Sequence, residues 1–272
     1  MKITPAESAS VTFEHYEDGS GYFSLDKPKG WKVQVGLKGT GDIDLISYAI
    51  SVSDPNCPER EMYFNLNCVG GVKSQEAHDW YASNYGANSE FAVLPVFPSV
   101  DTEGFFRASE PFYGYSGFTV AENLGASVFG GEVLVGKCVS KTSGKKMEGI
   151  FSATVDGSFT YYVLQNPFSL FGPQIDAAPV SVYTILMETA PEEEIIDWQP
   201  VLDRIVSSIS FTDTFIKARN ELWRSVMGTT GETSNNTSEL SSGIMDSWEK
   251  RNATYDVISQ KQSDATLGYE RV

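Results

Sequence analysis

Gly21-Tyr22-Phe23-Ser24-Leu25-Asp26-Lys27-Pro28-Lys29-Gly30-Trp31-Lys32-Val33 reads as a short strand, a Pro/Gly turn and a second strand led by an aromatic residue. The same pattern continues on either side. Val11 and Phe13 alternate ahead of it, and Trp31, Val33 and Val35 alternate behind it. A longer run sets Ile43, Leu45, Ser47, Ala49 and Ser51 against Ile46, Tyr48, Ile50 and Val52, and it ends at Asp54-Pro55. A strand over 62–69 follows, which Gly70-Gly71 is expected to close.

Ser74 has the character of a helix N-cap opening Gln75–Tyr85, with Ala77, Trp80 and Tyr81 as the apolar stripe and Gly86 as the stop. Residues 87–117 hold Pro95, Pro98, Pro111 and several glycines, which predicts an irregular excursion with one short strand. Regular strands resume after Phe118. Glu132–Ser140 and Lys146–Val155 flank Thr142-Ser143-Gly144 as a hairpin, and Asp156-Gly157 turns the chain into Phe159–Leu164. Val180–Glu188 is the last strand.

Trp198, Leu202, Ile205 and Ile209 then fall at helical spacing, with Asp197 as N-cap and Pro200 in the first turn. A second helix, about Asp213–Met227, presents Phe215, Arg219, Leu222, Trp223 and Val226. Residues 228–238 form a polar linker that cannot bury anything. Beyond it Leu240, Ile244, Trp248, Tyr255 and Ile258 step at helix-like intervals, which predicts an amphipathic helix that must dock on something. No internal repeat is visible.

Composition narrows the partners. The 272 residues carry 20 basic and 36 acidic side chains, a formal net charge of −16. Phosphate backbones require clustered Lys and Arg, so nucleic acid is disfavoured, as is docking onto anionic lipid. From Asp213 onward there are nine acids and seven bases, so residues 1–212 hold 27 acids and 13 bases, and the charge sits in the body. With thirteen Tyr and sixteen Phe, the composition suits sheets more than a helical bundle.

No segment approaches a membrane span, and the N-terminus Met1-Lys2-Ile3-Thr4-Pro5 lacks an apolar signal region. The expected compartment is therefore cytoplasmic, with export the alternative for a trimmed precursor. Cys57, Cys68 and Cys138 show no metal-ligand spacing and no nearby His. Cys68 falls on one strand face with Met62, Phe64 and Leu66, the pattern of a core thiol, and a Cys57–Cys68 disulfide stays open for an exported chain.

Three features carry a resemblance. Tyr22-Phe23-Ser24-Leu25-x-x-Pro28-x-Gly30-Trp31-x-Val33 opens the chain, many antiparallel strands follow, and a closing helix runs straight into Val206-Ser207-Ser208-Ile209-Ser210-Phe211. In these the chain, over roughly residues 10–212, resembles the PsbP-like and Ran-binding Mog superfamily of α/β sandwiches. The resemblance implies an assembly factor, binding module or accessory subunit, and it transfers no catalytic residue because that group shares no catalytic motif. The stretches Asp246–Arg251 and Leu267–Val272 also resemble the closing part of bacterial proteins of uncharacterised role, which continue further and so imply a natural terminus beyond Val272.

The motifs that invite chemistry each have a plainer account. Glu76-Ala77-His78-Asp79 does not converge, since Glu76 and His78 lie about 200° apart on a helix. Two histidines, His15 and His78, are a thin supply for acid–base work. Gly114-Tyr115-Ser116-Gly117 lacks a spacer of the nucleophile elbow. Gly136 to Gly144-Lys145-Lys146 has the wrong glycine spacing for a phosphate loop and reads as a hairpin with a basic tip. Asp42 and Asp44 lack the further oxygens of a calcium loop. Glu192-Glu193-Glu194 complements the dipole of the helix it precedes.

The sequence therefore predicts an α+β protein. A mostly antiparallel sheet flanked by helices occupies residues 1–212 as a PsbP/Mog-like α/β/α sandwich, with a helical C-terminal extension over 213–272. The expected function is a non-enzymatic, protein-binding or accessory module of a bacterium, without cofactor or metal. An unknown protein partner or self-association through the C-terminal helix would engage it. Candidate binding residues are Phe105, Phe106, Arg107, Phe112, Tyr113 and Tyr115 in the Phe91–Phe118 excursion, and Ile244, Trp248, Tyr255 and Ile258 in the tail. The alternative is a small-ligand-binding protein or enzyme that uses the excursion as a lid.

Overall fold

The opening stretch forms the two strands expected on either side of Pro28–Gly30, Phe23–Pro28 and Lys32–Val35, but they pair with other strands and not with each other. β1 (Phe13–Glu17) runs antiparallel to β2 (Phe23–Pro28), and Gly21, at φ +69°, supplies the left-handed residue that the turn between them needs. The computed structural model describes residues 10–36, 48–66, 68–85, 93–126, 131–157, 163–164, 175–176 and 179–227. They fall into two units, Met1–Tyr63 with Glu188–Val272, and Phe64–Met187. The predicted linker 228–238, the tail residues Ile244, Trp248, Tyr255 and Ile258, the Asp42/Asp44 turn and residues 158–162 lie outside the described residues.

In the first unit β13 (Ser210–Phe211) pairs with the other edge of β2, giving the order β1-β2-β13. Gly30, at φ +88°, turns the chain into β3 (Lys32–Val35), which pairs antiparallel with β4 (Ala49–Asp54). The strand expected over 62–69 starts earlier and stops sooner. β5 (Cys57–Asn65) begins directly after a Pro55-Asn56 turn in which Asn56 N donates to Asp54 Oδ1 at 2.9 Å. Alternation fails as a guide there because both faces are covered: Met62, Tyr63, Phe64 and Asn65 are all buried.

α3 (Ile195–Ser208) buries Trp198, Val201, Leu202, Ile205 and Val206, the face its periodicity predicts. Its start differs from the expectation. Glu194, not Asp197, occupies the cap position without a side-chain bond, and Asp197 sits in the first turn, where its charge suits the dipole. Pro200 consequently falls inside the helix, where it removes one backbone donor. The amide of Asp26 donates to Ser208 Oγ at 2.8 Å and ties the end of α3 to β2.

α4 (Asp213–Met227) matches its predicted span. Thr212 Oγ1 accepts from Phe215 N at 3.2 Å and donates to Gly21 O at 2.7 Å, fixing the helix start to the β1–β2 turn. Phe215 meets Tyr48 at 4.8 Å between ring centroids, inside a nest completed by Tyr22, Phe23 and Phe211. Tyr48 is 0% exposed, and burial pushes its phenol above the ordinary range.

In the second unit β6 (Cys68–Val72) contains Gly70 and Gly71 instead of ending at them. It pairs antiparallel with β12 (Pro179–Pro191). A Cβ on Gly71 would lie 2.3 Å from Pro95 O and 2.4 Å from the Phe97 ring, so glycine is required there for close approach and not for a turn. α1 (Gln75–Tyr85) is the predicted helix, with Ser74 Oγ accepting from Ala77 N at 3.2 Å.

β8 (Glu132–Ser140) and β9 (Lys146–Asp156) form the predicted hairpin, and β7 (Tyr115–Ala126) pairs antiparallel with the other edge of β8. Beside β9 lies β12, and not the 159–164 segment expected to follow it there. β10 (Val163–Leu164) and β11 (Ile175–Asp176) make a short antiparallel pair. The protein is α+β with predominantly antiparallel pairing. Among the described residues no helix is long and apolar enough to cross a membrane.

Candidate functional site

The segment expected to be irregular holds a capped helix. Asp101 Oδ1 accepts from Gly104 N at 2.7 Å and from Ser99 Oγ at 2.8 Å, opening α2 (Thr102–Ala108). Gly104 permits the tight start, since a Cβ there would sit 1.9 Å from Ser99 O. Thr102 Oγ1 pins the helix to the sheet, donating to Ala153 O and accepting from Glu132 N, both at 3.0 Å.

Phe105 and Phe106 are buried beneath this helix. Phe106 packs edge-on to Phe151 at 5.1 Å and against Phe118 at 5.5 Å, while Phe105 stacks on Phe97 at 6.1 Å. Tyr115 is also buried. Its hydroxyl donates to Phe106 O at 2.9 Å, satisfying a carbonyl near the end of α2. Burial raises the Tyr115 phenol far above its ordinary range.

A 3-10 turn, Glu110–Phe112, follows. Glu110 Oε1 accepts from Phe118 N at 2.7 Å. The Lys141 ammonium donates to the carbonyls of Glu110 and Tyr113, the latter at 3.0 Å, and Lys141 N donates to Gly114 O at 2.9 Å. Tyr113 lies half-buried, stacked on Tyr115 at 5.9 Å with planes 10° apart. Held this way, the turn turns Phe112 outward, and that residue is 52% exposed. Arg107 is exposed and pairs with Glu103 at 2.7 Å across one helical turn.

The structure thus divides the predicted site residues. Phe105, Phe106 and Tyr115 belong to the core under α2, Tyr113 bridges core and surface, and Arg107 and Phe112 face solvent. The tail candidates Ile244, Trp248, Tyr255 and Ile258 lie outside the described residues. Sequence reading missed Lys141 as the clasp of the turn and Glu110 as its carboxylate anchor. Asp101 followed by Gly104 was the one local sign of the helix.

Among the described residues no group of three or more His, Cys, Asp and Glu side chains could hold a metal ion. His15 pairs with Asp26 at 3.0 Å on an exposed strand, and His78 meets Asp79 at 3.3 Å on α1. Ser116 lies in β7 beside Gly117, at φ +66° where the β7–β8 register shifts, and not between a strand and a helix. Gly144, at φ +72°, turns the β8–β9 hairpin. Cys57 is buried, with its Sγ donating to Glu59 Oε2 at 3.3 Å.

No family model matches the chain, and no curated protein matches it. Solved structures similar to it include cyanobacterial PsbP (CyanoP) from Synechocystis sp. PCC 6803, at 9% identity and a TM-score of 0.32, covering 74% of this chain and 94% of that one. Another is LpqN, involved in cell envelope biogenesis of Mycobacterium tuberculosis, at 13% identity and a TM-score of 0.29, covering 75% of this chain and 92% of that one.

Proposed function

We propose that this chain is a non-enzymatic accessory module that binds another protein through the surface centred on Phe112. The observation that carries this reading is an aromatic side chain held in solvent on a turn fixed from both sides. Buried Tyr115 and the Glu110 carboxylate fix it from within, and Lys141 from without. Exposed aromatic surface invites burial, and a turn already ordered loses little conformational freedom when a partner covers it. Aromatic and arginine side chains dominate binding energy at interfaces, and Arg107 lies on the same helix–turn segment.

The test is affinity capture with the full chain and with Phe112→Asp, whose thermal melt is compared with that of the parent. A protein recovered by the parent and lost with the folded variant supports the reading. Recovery of the same proteins by both, or of none by the parent, overturns it.

A further inference from the structure

The tip of the β8–β9 hairpin carries a charge opposite to that of the chain around it, while further along the strands Lys137 is paired with Glu148 at 3.7 Å. Residues 137–146 hold Lys137, Lys141, Lys145 and Lys146 and no acidic residue, in a protein of net charge −16. Lys141, Lys145 and Lys146 are exposed at the tip. The aromatic turn lies directly against this tip: Tyr115 pairs with Ser140, Ser116 with Val139, and Lys141 bonds the carbonyls on either side of Phe112. Val139, one residue before Ser140, is 36% exposed, and Pro111 is exposed beside Phe112. An apolar spot is thereby bordered by ammonium groups.

We propose that this face binds an acidic segment of a partner protein, whose carboxylates meet Lys141, Lys145 and Lys146 while an apolar side chain covers Phe112. The proposal rests on the protein-binding reading above and adds the chemistry of the partner. Charge complementarity selects the occupant. At physiological ionic strength the screening length is about 8 Å, so a short segment feels the local lysines and little of the distant acids. An anionic bilayer or a second copy presents an extended negative surface to the whole −16 molecule and is repelled. Nucleic acid would meet the same repulsion beyond the hairpin.

The experiment titrates the full 15N-labelled chain with a short peptide alternating Glu with Leu and Phe. A counterpart peptide with Lys in place of each Glu, and vesicles of equal phosphatidylserine and phosphatidylcholine, run in parallel. With the glutamate peptide, the expected result is amide shifts confined to residues 110–116 and 137–146. Affinity should fall at least about tenfold in Lys145→Glu/Lys146→Glu and decline with added salt. Both lysines are exposed, so the double variant should keep the parental melting temperature.

Absence of shifts, equal affinity in the double variant, or equal binding of the lysine peptide overturns the proposal. So does lysine-dependent binding to the vesicles in place of the peptide, or lysine-dependent self-association. If a captured partner is lost with Phe112→Asp but retained by Lys145→Glu/Lys146→Glu, protein binding stands and the acidic partner falls.

Discussion

The indole rings of Trp31 and Trp198 stack with centroids 5.7 Å apart and planes 26° from parallel. Trp31 directly follows the Pro28–Gly30 turn, and Trp198 sits in the first turn of α3, so the stack joins the opening hairpin to the closing helix. Arg60 lies over Trp198 at 4.1 Å from the ring centroid and makes the third layer. The same guanidinium donates to Asp54 Oδ2 at 2.9 Å and to Glu194 Oε2 at 2.8 Å.

Trp198→Ala removes the middle of these layers and leaves a cavity that backbone strands and a helix cannot fill. Unfolding in urea should show a loss of about 3–5 kcal/mol. A loss below about 1 kcal/mol would mean the helix settles into the space and the stack is not a fastening point.

Arg60→Ala should be as damaging for a different reason. Burial works against the charged guanidinium, yet its bonds to Glu194 and then Asp54 hold its pKa above the ordinary value. Asp54, with its side chain 7% exposed, would lose its cationic partner. The expected loss is about 3–5 kcal/mol. Arg60→Lys should recover part of it, since an ammonium cannot fork to two carboxylates and also lie flat on Trp198. Equal melting temperatures for the lysine variant and the parent would contradict this account.

Two glycines should respond differently to alanine. Gly71→Ala drives a methyl group into Pro95 O and Phe97 and should cost about 1–3 kcal/mol by overpacking. Gly144→Ala meets nothing within 4 Å and carries only the strain of φ +72°, about 1–2 kcal/mol. Crystal structures of the two variants would separate the mechanisms, because only the first should displace Phe97.

Burial first, and the Glu110 charge second, push the Cys138 thiol from 9.0 up to about 12. In the unfolded chain that thiol ionises near 9.0, while the folded protein keeps its proton. The associated stability is therefore complete below pH 9 and is lost as pH rises towards 12. Denaturation midpoints across this range should fall more steeply for the parent than for Cys138→Ala. Thiol reagents at neutral pH should leave Cys138 unlabelled until denaturant is added, and prompt native labelling would refute its burial.

Elements with strong local signals were legible in the sequence. α1 and α4 have the spans their caps and periodicities predict, and the β8–β9 hairpin turns at Gly144 as expected. The errors arose where tertiary contact overrides local pattern. α2 was hidden by Gly104 and two consecutive phenylalanines, which are poor helix material until burial against Phe118 and Phe151 stabilises them. Gly70 and Gly71 resembled a stop because nothing local shows that Phe97 and Val182 press against them. In the candidate site, aromatic richness drew attention to the 91–118 segment, but only packing could separate buried Phe105 and Phe106 from exposed Phe112.

The bond between Asp26 and Ser208 spans 182 residues. On the ribosome, β1 and β2 therefore emerge long before α3 exists to dock against Asp26 and to cover Trp31 with Trp198. All of Phe64–Met187 is synthesised in the interval and can fold first, while the N-terminal hairpin waits with its apolar face bare. The oldest part of the nascent chain is thus among the last to be sealed, and a polypeptide released before Ile195 would carry an uncovered hairpin for holding chaperones to recognise.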